Sequence, residues 1–181
     1  MVKRWQTLEA KEGSDLKIFR VNWLKRQNQE IGKTGDFVVL DSPLWVNIIP
    51  ITKNNEVVLV RQYRHGIDEI TLEVPGGLVD NKEEPIDAAE RECYEETGYK
   101  SKNRAILLGE NHPNPAFLNN LCYSFVWFDC ELQGKQKLDG NEDIDVLLVP
   151  LKDIPKMILN KEIKHSLVLT AFFFYSLKYG F

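Results

Sequence analysis

Cysteine is scarce in this 181-residue chain: three in all, Cys93, Cys122 and Cys130, an odd number without metal-ligand spacing and set inside apolar runs. That argues against a disulfide framework or a thiolate metal site and predicts reduced, buried thiols, with the cytoplasm as the expected location. Long hydrophobic runs are missing as well. No window approaches the roughly 18 apolar residues that a membrane span needs. The longest apolar stretch, residues 167–177, is interrupted by Thr170, Tyr175 and Ser176 and is predicted to be a packed terminal helix. The opening residues Met1-Val2-Lys3-Arg4-Trp5-Gln6 contain no apolar core of the kind an export leader uses, so no leader is expected. A basic excess is also lacking. The formal net charge of -4 argues against a protein that grips a nucleic-acid backbone, while leaving room for a local basic site for small anions.

What is present is the balance of a soluble globular protein, 43% hydrophobic and 28% charged, with no repeat, low-complexity run or charged tail. Two parts are expected: a β element over residues 1–42, polar and aromatic, and a main domain over residues 43–181. In the first, residues 16–24 alternate apolar and polar with one phase slip, and residues 36–40 do so more weakly. In the second, residues 44–52 and 56–63 form a predicted hairpin around Lys53-Asn54-Asn55. Further strands are predicted at 69–74, 106–109, 121–132 and 145–149. Helices are predicted at 84–97, 151–160 and 166–179. Pro85 suits the first helical turn of 84–97, and Gly98 suits its stop. Strands around one central helix, with helices at the end, make an α/β (α+β) sandwich whose mixed sheet is covered by helices.

The central helix carries the chemistry. At about 100° per residue, Glu92, Glu95 and Glu96 fall on one face, and Ile86, Ala89 and Cys93 lie on the adjoining apolar side. Like charges at these spacings cost ~0.2–0.5 kcal/mol per pair, so a cation is expected there. Carboxylate oxygens without His or Cys suit Mg²⁺, with Mn²⁺ able to substitute, and Mg²⁺ commonly completes its shell with water and substrate phosphate. Arg91, one turn before Glu95, can pair with it and orient it. Gly76 and Gly77 allow the backbone to approach closely, so that a main-chain carbonyl could add a ligand.

The spacing resembles the Nudix box, Gly-x5-Glu-x7-Arg-Glu-U-x-Glu-Glu-x-Gly-U with U apolar. The matching residues are Gly77, Glu83, Arg91, Glu92, Glu95, Glu96 and Gly98, with Cys93 and Tyr99 at the two U positions. Seven fixed residues at preset spacing arise by chance on the order of once in a million such chains. The flanks, Val60-Arg61-Gln62-Tyr63-Arg64, Leu72-Glu73-Val74-Pro75-Gly76-Gly77 and Asn141-Glu142-Asp143-Ile144, are similar to the ADP-ribose pyrophosphatase and nucleoside diphosphate sugar branch.

That resemblance implies a Nudix α/β/α sandwich and Mg²⁺-dependent cleavage of ADP-ribose or a nucleotide sugar to a nucleoside monophosphate and a sugar phosphate. It implies metal ligands at Gly76 (through its carbonyl), Glu92, Glu95, Glu96 and Glu142. Glu142 or Glu95 would serve as general base, and Arg91 would orient the acid cluster. Arg64 would contact the diphosphate, and Glu73 would contact substrate or order the site. Gly140 departs from relatives that often carry a second acidic residue there, so Asp139 or Glu95 could replace Glu142 as base. Trp23 and Trp45, like Trp5, are candidates for stacking on the nucleobase. The loop 112–120 occupies the place of a substrate-side loop and leans toward nucleotide sugars. A homodimer is expected, because relatives often exchange their N-terminal sheet and the strands here offer little apolar surface of their own. Two alternatives stay open: hydrolysis of another nucleotide conjugate (a dinucleotide, a coenzyme or a capped RNA end), or a non-catalytic nucleotide-sensing module.

Overall fold

The computed structural model describes residues 2–140 and 142–181. The chain divides into two units, Met1–Pro43 with His112–Leu121, and Leu44–Asn111 with Cys122–Phe181.

The first unit is an antiparallel three-stranded sheet, β1 (Gln6–Asp15), β2 (Arg20–Asn28) and β3 (Lys33–Asp41), in the order β1-β2-β3. The alternating stretch 16–24 holds a turn followed by the start of β2. Leu16 N–H donates to the Phe19 carbonyl at 2.9 Å and Lys17 sits at φ 69°, so the phase slip in the apolar pattern is a turn between two strands. All ten residues of β1 are exposed, so the strand has no alternation by which sequence could reveal it. Segment 112–121 belongs to this unit: Leu40 N–H donates to the Phe117 carbonyl at 2.7 Å, and Asn119 Nδ2 donates to Asp41 Oδ1 at 2.7 Å.

The second unit is built on a mixed sheet. Its strands are β4 (Trp45–Thr52), β5 (Glu56–Arg64), β6 (Glu69–Glu73), β7 (Gly76–Leu78), β8 (Tyr99–Lys100), β9 (Ile106–Asn111), β10 (Cys122–Leu132) and β11 (Ile144–Pro150). The expected hairpin of β4 and β5 is paired only at Ile51 and Val57. Beyond that point the strands part. β4 is joined by β7 and, in parallel, by β10, while β5 takes β6 and β11. Two glycines in three residues gave β7 no strand pattern to recognise.

Alternation along β4 divides the core. Val46 and Ile48 face α1 (Pro85–Thr97), where they meet Ala88, Ala89, Cys93, Phe125 and Trp127. Ile49 and Ile51 face the opposite cluster, which contains Ile154 of α2 (Ile154–Leu159) and Val168, Ala171 and Phe172 of α3 (Ser166–Tyr179). In β10 a register shift at Asp129, φ 58°, returns Cys130 to the α1 side with Phe125 and Trp127. The helix expected over 151–160 begins as a 3₁₀ turn, Leu151–Asp153, because Pro155 lacks the N–H that would continue an α-helical ladder backwards. All three cysteines are free and buried, and among the described residues no helix is long and apolar enough to cross a membrane.

Candidate active site

α1 places the acid cluster. Pro85 opens the helix and Gly98, at φ 74°, closes it through its N–H to the Tyr94 carbonyl, so the register from Glu92 to Glu96 is fixed at both ends. The buried Ala88, Ala89 and Cys93 press one face onto the sheet, and Glu92 and Glu96 lie toward the strand that holds Gly76 and Gly77. Gly76 is required by that closeness, since a β-carbon there would collide with the Val46 carbonyl, while one at Gly77 would displace the Glu92 carboxylate. Gly76 N–H donates to Glu96 Oε2 at 3.1 Å, joining loop and helix.

The three acids differ in environment. Glu96 is 3% exposed, and burial pushes its carboxyl up to about 8; the Gly76 N–H opposes the rise, and the charges of Glu92 and Glu142 add to it. Burial also raises Glu92, against the pull of Arg91 and with the push of Glu95 and Glu142. Glu95 is the most open of the three, its side chain 39% exposed.

Arg91 is the hub. It donates Nη1 to Glu92 Oε1 at 2.9 Å and to Glu95 Oε2 at 3.1 Å, as its spacing from Glu95 predicts. Its other edge forks onto Glu83, Nε to Oε1 and Nη2 to Oε2, both at 2.9 Å, and Nη2 also reaches the Leu78 carbonyl at 3.1 Å. Glu83 is correspondingly held below the usual carboxylate range, chiefly by the Arg91 hydrogen bonds. Its place in the box was visible in sequence, but its grip on Arg91 was not.

A second pair lies on β5 and β6. Arg64 donates Nε to Glu73 Oε1 at 2.8 Å and Nη2 to Oε2 at 2.7 Å. Glu73 is 2% exposed and also accepts from Thr71 Oγ1 at 2.6 Å. Burial would raise its carboxyl, but Arg64 and Thr71 outweigh that and hold it low. Arg64 thus engages both Glu73 oxygens, one of them shared with Thr71. The Arg64 charge is felt at Glu96, and the charge of Glu142 at Arg64, Glu92 and Glu96, so these residues share one electrostatic field.

Glu142 itself accepts from Asp139 N–H at 2.9 Å, while its own N–H donates to the Asp139 carbonyl at 2.9 Å. The loop leading to it is tied by Gln136, whose Nε2 donates to the Glu96 carbonyl at 2.7 Å and to the Ile144 carbonyl at 2.8 Å. Nothing in the sequence singled out Gln136 or Thr71, because neither belongs to a spaced motif. Trp45 is half-buried at the head of β4, paired across to Leu78 and Cys122. Trp23 belongs to the first unit, where it is 53% exposed on β2 between Lys11 and Val38.

Buried like charges and hard oxygen donors are a set that fits a divalent cation of the Mg²⁺ or Mn²⁺ kind. Among the described residues no three Asp, Glu, His or Cys side chains converge as a ready-made cage. Ligands beyond the acids therefore have to come from main chain, water or substrate.

A NUDIX domain model matches residues 42–171. The chain is 27% identical to the ADP-ribose pyrophosphatase of Bacillus subtilis (strain 168) over 148 residues, 81% of this chain and 80% of that one. It is 30% identical to the GDP-mannose pyrophosphatase of Enterobacter sp. (strain 638) over 125 residues, 65% of this chain and 64% of that one. A solved structure described as an ADP compounds hydrolase superposes with a TM-score of 0.85 at 20% identity, covering 97% of this chain and 94% of that one.

Proposed function

Because the chain belongs to the Nudix family, we propose that it hydrolyses the diphosphate bond of a nucleoside diphosphate derivative, ADP-ribose or a nucleotide sugar, to a nucleoside monophosphate and a sugar phosphate. The observation that carries this reading is the joining of two charge systems: the buried acids Glu92 and Glu96 beside Gly76, and an Arg64 braced by Glu73 whose charge reaches Glu96. The activities named for the Bacillus and Enterobacter relatives support the substrate class.

Mg²⁺ is the proposed cation, with Mn²⁺ able to substitute; Glu92, Glu95, Glu96, Glu142 and the Gly76 carbonyl would hold it once the ion draws the acids together. A divalent cation bound there supplies charge neutralisation and an acidified water. The residues of the chain do the rest. Arg64 keeps Nη1 and one Nη2 hydrogen free of Glu73, so it can hold the diphosphate while remaining braced. Arg91, anchored on Glu83, orients Glu92 and Glu95. Glu142 or Glu95, the acids not deeply buried, takes the proton from the attacking water. Trp45 is the candidate for base stacking in the same unit. A homodimer fits a sheet whose β1 is exposed throughout and which leaves Leu8, Trp23, Ile31 and Phe37 open, and sedimentation equilibrium tests it.

A substrate panel tests the main reading. ADP-ribose, GDP-mannose, UDP-sugars and dinucleotides are incubated with Mg²⁺, and phosphate is measured after phosphatase coupling. Hydrolysis of ADP-ribose or a nucleotide sugar, abolished by chelator, is expected. Turnover of none of them with either Mg²⁺ or Mn²⁺ would overturn it.

A further inference from the structure

The Arg64–Glu73 pair has a third neighbour that the reaction as described does not use. His165 immediately precedes α3, and its Nδ1 is buried, lacks a hydrogen-bond partner and lies 3.7 Å from Glu73 Oε2. Glu73 Oε1 accepts twice, from Arg64 Nε at 2.8 Å and Thr71 Oγ1 at 2.6 Å. Oε2 accepts only from Arg64, at 2.7 Å, which leaves a lone pair for one further donor such as His165.

We propose that His165 is a positioning residue for substrate binding: a donor at Nδ1 steadies Glu73, and through it the direction in which Arg64 presents its free N–H groups to the diphosphate. This rests on Arg64 contacting the diphosphate, as read above.

The need for such a donor follows from burial. The Arg64 side chain is 43% exposed and Glu73 only 3%. A substrate diphosphate shares the guanidinium with Glu73, and its pull on the free N–H groups weakens the bond to Oε2. A carboxylate taken out of water cannot turn to solvent for a replacement donor, and leaving it short is costly. Thr71 serves the other oxygen, so His165 is the group in reach of this one. The charged groups facing the imidazole are Glu73 from β6 and Arg64 from β5; the adjacent Lys164 is paired with Glu69. Burial lowers the imidazole pKa, with Glu73 opposing and Arg64 adding to the fall, which favours the uncharged ring. The facing carboxylate then favours the tautomer with its proton on Nδ1.

Steady-state kinetics on the best substrate of the panel above test this, with His165→Ala, His165→Asn, Arg64→Ala and the double variant His165→Ala/Arg64→Ala. His165→Ala is expected to raise KM about five- to tenfold with kcat within about twofold, and His165→Asn, which keeps a donor, to recover most of that loss. In the Arg64→Ala background the same change is expected to add less than about twofold, because the residue it positions is gone. An unchanged KM in His165→Ala, or its full increase on top of Arg64→Ala, would overturn the proposal while leaving the Arg64 reading intact. An unchanged KM in Arg64→Ala itself would remove that reading and this proposal together. Should His165→Ala melt early, His165→Asn against His165→Leu makes the same comparison of donor against none.

Discussion

Replacing Glu96 with Gln should make the metal-free protein more stable while destroying its activity. Glu96 is 3% exposed, and its carboxyl lies at about 8 against an ordinary 4.5. A raised carboxyl value means that the native state holds a proton the unfolded state has released. Stability is therefore complete below the unfolded value of 4.5 and is lost as pH climbs toward 8. Each pH unit in that window costs about 1.4 kcal/mol, which gives about 3 kcal/mol by roughly pH 7 and about 5 kcal/mol once the native carboxyl is fully ionised. Gln keeps the carbonyl that accepts from Gly76 N–H and removes the charge that Glu92 and Glu142 oppose. Urea unfolding in chelator, followed by circular dichroism at a series of pH values, measures the difference. Near about pH 4.5 the two proteins should unfold together, and by about pH 8 the variant should be more stable by several kcal/mol, or roughly 10 °C in melting temperature. A variant no more stable than wild type at about pH 8 would refute the premise that an unneutralised buried charge sits at this position.

Three further substitutions probe the surroundings. Glu83→Gln loosens the fork that anchors Arg91 beside Glu92 and Glu95, so the Mg²⁺ concentration for half-maximal activity should rise roughly tenfold with little change in melting temperature. Gly77→Ala drives a β-carbon into the Glu92 carboxylate, and kcat should fall by about a hundredfold while the far-ultraviolet spectrum stays native. Gly98→Ala forces a side chain into φ 74° against the Gly134 carbonyl, which should cost about 1–3 kcal/mol in urea unfolding at the C-terminal end of α1.

Much of this was legible in sequence where local rules govern. α1 could be bounded from Pro85 and Gly98, and its acid face from spacing alone, because helix geometry converts sequence distance directly into angle. The strands whose apolar residues alternate or run together were visible, while β1, exposed over its whole length, and β7, short and glycine-rich, were not. The partners brought in from a distance were equally hidden. Thr71 and His165 meet at Glu73 only because β5, β6 and the start of α3 converge there, and Gln136 bridges Glu96 and Ile144 from a loop without periodicity. Such contacts are set by tertiary packing, which no single window of sequence records.

The most direct test of the centre is Mn²⁺ binding followed by electron paramagnetic resonance, for wild type and for Glu92→Gln/Glu96→Gln, with and without an ADP-ribose analogue whose bridging oxygen is a methylene. Tight binding in wild type, strengthened by the analogue and lost in the double variant, is the expected result. Equal Mn²⁺ affinity in the two proteins, indifferent to the analogue, would contradict the assignment of these acids to a cation that bridges to the diphosphate.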